Sequence, residues 1–189
     1  MNKYFNSKKN PLISVIIPNY NGEQFINTCL RSVQNQTYQP LEVIVADDAS
    51  QDNSISIAKY YEDKFTKFKI IKREKNLGLA ENKHDAINNS SGFFVTTLDS
   101  DDFYWNSQKL QNEYNIIKRY NANGIYNIIS FSHIVTVAED GSKIKSTKSK
   151  QLIEGDIFFK LLTRRLSFIP RDFLMSREQY YEAGGFDIN

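Results

Sequence analysis

Short apolar runs rich in β-branched residues alternate with segments of helical periodicity, and this alternation confines the chain to one kind of architecture. Leu12 to Pro18, Leu41 to Ala46, Phe68 to Lys72 and Phe93 to Leu98 are nearly continuous apolar stretches, which suit strands buried on both faces. Between them Phe25, Ile26, Cys29, Leu30 and Val33 recur at helical spacing, and Ile57, Ala58, Tyr61 and Phe65 do the same. A weaker helical pattern runs from Leu79 to Ile87 through Ala80, Lys83 and Ile87. The order β-α-β-α-β-α-β predicts an α/β fold, a Rossmann-like, mostly parallel sheet whose right-handed crossover helices cover both faces. A length of 189 residues suits one domain, and a 40% hydrophobic content supplies its core.

Further along, Ser107 to Tyr120 reads as a helix capped by Asn106 or Ser107. Ile125 to Val137 reads as a strand, and Glu139 to Ser142 as a turn. Lys143 to Lys150 is a lysine-rich run, either a solvated edge or an anion-binding stretch. Ile153 to Leu166 is expected to be helical, Phe168 to Met175 extended, and Arg177 to Ala183 a short helix stopped by Gly184 and Gly185. The charges, 24 basic against 22 acidic with a net +2, exclude the footprint of a nucleic-acid binder and leave room for peripheral contact with an anionic membrane. Residues 1–10 form a polar tail with three lysines, and the apolar run after it, Leu12 to Ile17, is too short for a signal peptide or a membrane span. The expected location is cytoplasmic, with the inner face of the cell membrane as an option. Cys29, the single cysteine, reads as a buried small hydrophobe, and His84 and His133 as structural or surface histidines.

The chemistry is concentrated where the strands end. Asn19-Tyr20-Asn21-Gly22 follows the first, Asp47-Asp48-Ala49-Ser50 the second, Asn76-Leu77-Gly78 the third and Asp99-Ser100-Asp101-Asp102 the fourth. In an open parallel sheet these positions converge on one edge, where ligands bind. Carboxylates gathered there repel one another unless a cation, a proton or hydrogen-bond donors compensate. A hard divalent ion, Mn²⁺ or Mg²⁺, meets that need, because it favours oxygen ligands and takes the remaining ones from phosphate and water. Asp-x-Asp by itself also fits a loop turn or a helix cap; its place after the fourth strand, opposite Asp47 and Asp48, points to the metal.

"ISVIIPNYN" (Ile13 to Asn21), "EVIVADDASQDNS" (Glu42 to Ser54), "NLGLAENKHDAI" (Asn76 to Ile87), "TTLDSDD" (Thr96 to Asp102) and "AGGFD" (Ala183 to Asp187) occur in this order over nearly the whole chain. Together they resemble the family 2 glycosyltransferases of the GT-A fold. The resemblance implies a nucleotide-binding set of Pro18, Tyr20, Asn21, Asp48, Lys83 and Asp99, with Tyr20 packing on the base and Asp48 reading a uracil ring nitrogen. Asp47 is expected to hold its loop by accepting backbone N–H groups. Many relatives carry arginine where this chain has Lys83, which keeps the charge but loses the two-pronged contact. The resemblance assigns the metal to Asp101 and Asp99, with Asp102 orienting the loop or standing in the outer shell, and gives Gly184 to Asp187 the acceptor side. The domain boundaries that follow are 11–189, with a nucleotide-binding half over about 11–106 and the start of an acceptor half over about 107–189.

The implied reaction transfers a sugar from a nucleotide diphosphate donor, a UDP-sugar, to a hydroxyl on a saccharide or lipid-linked saccharide, with inversion, in bacterial surface polysaccharide synthesis. Relatives keep the general base in an acidic pair some distance after "GGFD", so the catalytic base is expected beyond Asn189, in an acceptor side truncated here; neither Asp187 nor Glu178 has a spacing that places it beside an acceptor hydroxyl. A sugar nucleotidyltransferase is the competing enzyme class, although "PNYNGEQF" offers only Gly22 where such enzymes have a glycine-rich loop. Phosphatases with Asp-x-Asp fit less well, since theirs normally follows the first strand. A nucleotide-sugar binding module without turnover is the non-enzymatic alternative.

Overall fold

The computed structural model describes residues 9–132, 134–138, 142–146 and 172–187. The expected alternation is present: β1 (Ile13–Asn19), α1 (Ile26–Gln34), β2 (Leu41–Asp47), α2 (Ser54–Lys59), β3 (Lys67–Lys72), α3 (Leu79–Asn88) and β4 (Phe94–Thr97) follow in order. After them come α4 (Lys109–Ala122), β5 (Ser130–Phe131), β6 (Val135–Val137), β7 (Lys143–Ser146), β8 (Phe173–Ser176) and α5 (Arg177–Glu182). The main sheet has the order β3-β2-β1-β4-β8-β5. β1 lies at its centre, parallel to β2 with Asn19 opposite Asp47, and parallel to β4 with Ile16 opposite Thr97. β3 continues the parallel set, whereas β8 runs antiparallel to β4 and β5 antiparallel to β8.

Both faces are covered, so β1 and β2 are buried at every position. On one face Ile13, Val15 and Ile17 pack with Cys29, Leu30 and Val33 of α1, Ala58 of α2, and Leu110, Tyr114 and Ile117 of α4. On the other, Ile16, Ile44 and Ala46 meet Ala86 and Ile87 of α3 and Tyr180 of α5. Each fully buried aliphatic side chain of this kind contributes roughly 1.5–3 kcal/mol. Every α-β crossover therefore anchors a loop over the same sheet edge.

Three expectations need correction. β3 is not buried on both faces: it is the sheet's edge strand, and Lys67, Lys69 and Lys72 face solvent between half-buried apolar residues, a charged finish that discourages a further strand from pairing there. The stretch from Ile125 to Val137 is not one strand, because Asn127 adopts a left-handed φ of 62° and only Ser130–Phe131 and Val135–Val137 pair, in separate sheets. α4 begins at Lys109 rather than at Ser107; Asn106 forms the turn ahead of it, its Oδ1 accepting the Gln108 N–H at 2.8 Å. The short helix α5 forms as expected, with a reciprocal Ser176–Gln179 cap, and ends at Gly184 and Gly185, both at positive φ. The expected helix over Ile153 to Leu166, residues 139–141 of the turn, 147–150 of the lysine run and His133 lie outside the described residues. Among the described residues no helix is long and apolar enough to cross a membrane.

Candidate active site

The loops after β1 and β2 are laced into one rim. Asp47, fully buried, accepts from Asn19 Nδ2 at 2.8 Å, from Ser50 N–H at 3.1 Å and from Ser50 Oγ at 2.5 Å, which is the loop-holding role expected of it. Asn21, in a left-handed conformation, donates its backbone N–H to Ser50 Oγ and accepts the Gln51 N–H, each at 2.9 Å. Farther out Asp52 accepts the Glu23 N–H at 2.8 Å, and Glu23 accepts both the backbone and side-chain N–H groups of Asn53. Gly22 lies so close to Asn19 that a Cβ would fall 2.2 Å from Asn19 Oδ1, so the turn into α1 requires glycine. Pro18 is buried within β1 and Tyr20 is 55% exposed at the rim.

Asp48 reaches the other way, across to the lead-in of α3. It is 3% exposed, and its two oxygens accept the N–H groups of Leu77 at 2.9 Å and Gly78 at 2.8 Å. Each carboxylate oxygen has a second lone pair, so a further donor can still be accommodated. Beside it opens a groove of about 410 Å³ lined by Ala49, Ser50, Gln51, Lys72, Arg73 and Glu74. A residue without a signal in the sequence completes the attachment: buried Asn82 donates to the Ala46 carbonyl at 2.7 Å and accepts from Arg73 Nε at 3.2 Å. α3 is thereby fixed over the end of β2.

From that helix Lys83 extends to the end of β4, where its Nζ lies 2.6 Å from Asp99 Oδ1. The acid expected to bind nucleotide and metal is thus ion-paired with the lysine of the expected nucleotide-binding set. Asp99, Asp101 and Asp102 each offer an oxygen, all within 4.8 Å of one another. The turn is closed by the Asp102 N–H bonding to the Asp99 carbonyl at 2.9 Å. Apart from Lys83, the buried Asp99 Oδ1 finds no hydrogen-bond donor among the described residues. An all-oxygen donor set of three clustered carboxylates fits Mn²⁺ or Mg²⁺. Beneath the loop, the Cys29 thiol faces the Asp99 carbonyl at 3.7 Å. Burial pushes its pKa up, and the charges of Asp102, Asp101 and Asp99 push it further, in keeping with a buried small hydrophobe.

His84, next along α3, reaches α5 and the turn after it. The Tyr180 hydroxyl accepts the Phe186 N–H at 3.1 Å and shares a second hydrogen bond with His84 Nδ1 at 2.8 Å. Neither Glu178 nor Asp187 enters the acidic loop's cluster. A separate buried group, Lys109 between Glu113 at 2.9 Å and Asp172 at 3.1 Å, ties α4 to the approach to β8. Burial alone would lower the Lys109 pKa, but Tyr104 and the two carboxylates outweigh it and raise it.

The sequence description Glycosyl transferase family 2 matches residues 14–181. The chain belongs to that family. Among family 2 relatives, the Escherichia coli UDP-Glc:alpha-D-GlcNAc-diphosphoundecaprenol beta-1,3-glucosyltransferase WfgD is 35% identical over 127 residues, 66% of this chain and 49% of WfgD. The fold is the GT-A one. Staphylococcus aureus TarS 1–349 in complex with UDP superposes with a TM-score of 0.71 at 22% identity, over 92% of this chain and 49% of that one. The mannosyltransferase PcManGT of Pyrobaculum calidifontis, in complex with GDP-Man and Mn²⁺, gives 0.69 at 20% identity, over 96% and 49%. The chain therefore spans about half the length of each of these proteins.

Proposed function

We propose that this family 2 chain forms the donor-binding half of an inverting glycosyltransferase that uses a UDP-sugar and works in bacterial surface polysaccharide synthesis. The observation that carries the reading is the meeting of Asp99, Asp101 and Asp102 with Lys83 at the carboxyl end of β4, one strand from the laced rim of β1 and β2. Tyr20 and Pro18 flank the base, Asn21 shapes the rim beside it, and Asp48 reads its ring nitrogen with a lone pair left over from the Leu77 and Gly78 contacts. Asp99 and Asp101 would hold Mn²⁺ or Mg²⁺, which supplies charge neutralisation for the departing diphosphate. Lys83 adds a second positive charge beside it.

In the transfer, an acceptor hydroxyl oxygen bonds to the anomeric carbon as the bond from that carbon to the diphosphate oxygen breaks. The nucleotide diphosphate leaves with the electron pair, and the hydroxyl proton passes to a base outside the residues assigned here. The acceptor is a saccharide or lipid-linked saccharide, approached from the Gly184 to Asp187 side, which His84 and Tyr180 hold against α3. Peripheral contact with the inner face of the membrane suits such an acceptor.

Calorimetry with UDP and Mn²⁺ tests this directly. UDP binding is expected to need the metal, and Asp101→Ala to abolish that requirement along with most of the affinity. Binding of UDP that ignores Mn²⁺, or an Asp101→Ala variant that binds like the parent, would remove the metal assignment.

A further inference from the structure

The acidic loop already has a cation of its own. The Lys83 and Asp99 side chains are 11% and 26% exposed, and they meet at 2.6 Å on a buried carboxylate oxygen that no hydrogen-bond donor occupies among the described residues. A divalent ion of the Mg²⁺ type binds such an oxygen at about 2.0–2.1 Å. An ammonium ion-paired with the same oxygen would then stand within a few ångströms of a doubly charged ion, in a partly desolvated site where the repulsion is strong. The two cations compete for Asp99.

We propose that Lys83 is the resident counter-cation of the acidic loop, and that it cedes Asp99 to the divalent ion when a diphosphate draws its ammonium away. This rests on the nucleotide-sugar reading above and adds a mechanism to it. The helix cannot be what moves. Asp48 holds its start through Gly78, Asn82 bonds it to the Ala46 carbonyl, and His84 pairs with Tyr180. The displacement belongs to the flexible four-carbon stem of Lys83, whose strongly hydrated point charge exchanges partners readily. In its resting position Lys83 neutralises one of three crowded carboxylates. Once withdrawn, it leaves an oxygen-only site and places its charge on the diphosphate, so that donor and divalent ion favour each other through one side chain.

The experiment titrates Mn²⁺ alone, without nucleotide, into the parent and into Lys83 variants. Lys83→Gln removes the competing charge and is expected to tighten Mn²⁺ binding by about tenfold, a coupling of ordinary size. Lys83→Met, which keeps the packing of the stem, is expected to do the same and serves if the glutamine variant fails to fold. Lys83→Arg retains the charge and is expected to stay at the parent's affinity. Neutral variants that bind Mn²⁺ no tighter than the parent would overturn the proposal. A parent that binds neither Mn²⁺ nor UDP would instead refute the underlying reading, so the two failures are told apart in the same titrations.

Discussion

Asp47 and Asp101 stand at the ends of β2 and β4, the two neighbours of the central strand, yet their surroundings are opposites. Asp47 has no exposed surface and accepts from Asn19 and Ser50 at distances of 2.5 to 3.1 Å. Asp101 is exposed, in a loop where three carboxylates approach within 4.8 Å and Lys83 pairs with Asp99. The same residue type serves as internal framework in one loop and, in the proposed function, as metal ligand in the other. What separates the roles is whether the chain itself supplies donors for the carboxylate, not how acidic the local sequence is.

The comparison can be broken most decisively at Asp47. Asp47→Ala would leave the Ser50 N–H and hydroxyl without their shared acceptor and take one of three acceptors from the buried Asn19 amide, at a cost of about 3 kcal/mol; a shift in the urea midpoint worth less than 1 kcal/mol, roughly the size of one ordinary hydrogen bond, would show that the rim is not held this way. A smaller, pH-dependent effect is expected at Glu42, a buried carboxylate at the far end of β2. Burial pushes its pKa up, but hydrogen bonds from Ser14 and Ser91 outweigh this and bring it below the usual 4.5. Its folded-state pKa being depressed, its contribution is present above about 4.5 and fades as pH falls through the folded value. Melting curves of Glu42→Gln and the parent should therefore converge in acid; a constant gap across the pH range would contradict this. The smallest stability effect belongs to Asp101→Ala, within about 0.5 kcal/mol of the parent or slightly stabilising, because it relieves like-charge repulsion. Substantial destabilisation there would mean that Asp101 is framework too.

Much of this was legible in the residue pattern. β1, β2 and β4 could be read because strands covered on both faces leave continuous apolar runs, and the acids at their ends follow from parallel topology. β3 misled because Phe68, Ile70 and Ile71 resemble a core strand when the alternating lysines are overlooked. The break at Asn127 depends on one backbone angle that no periodicity announces. Among the site residues, the role of Asp47 follows from the local D-x-x-S spacing to Ser50, a recognisable turn pattern. The pairing of His84 with Tyr180, 96 positions apart, has no local signature, and neither does the attachment of Asn82 to β2. Lys83 could be singled out from its motif as a nucleotide-binding expectation, but its hold on Asp99 depends on the angle at which α3 crosses the sheet.

Cys29, the chain's single cysteine, lies under the acidic turn with its sulfur against the Asp99 carbonyl. An alkylating reagent can react only after that turn has lifted and the thiol has lost its proton, both of which the closed arrangement opposes. The molecule thus carries a native chemical clock at its most functionally charged point, one that would time the breathing of this loop without any engineered label.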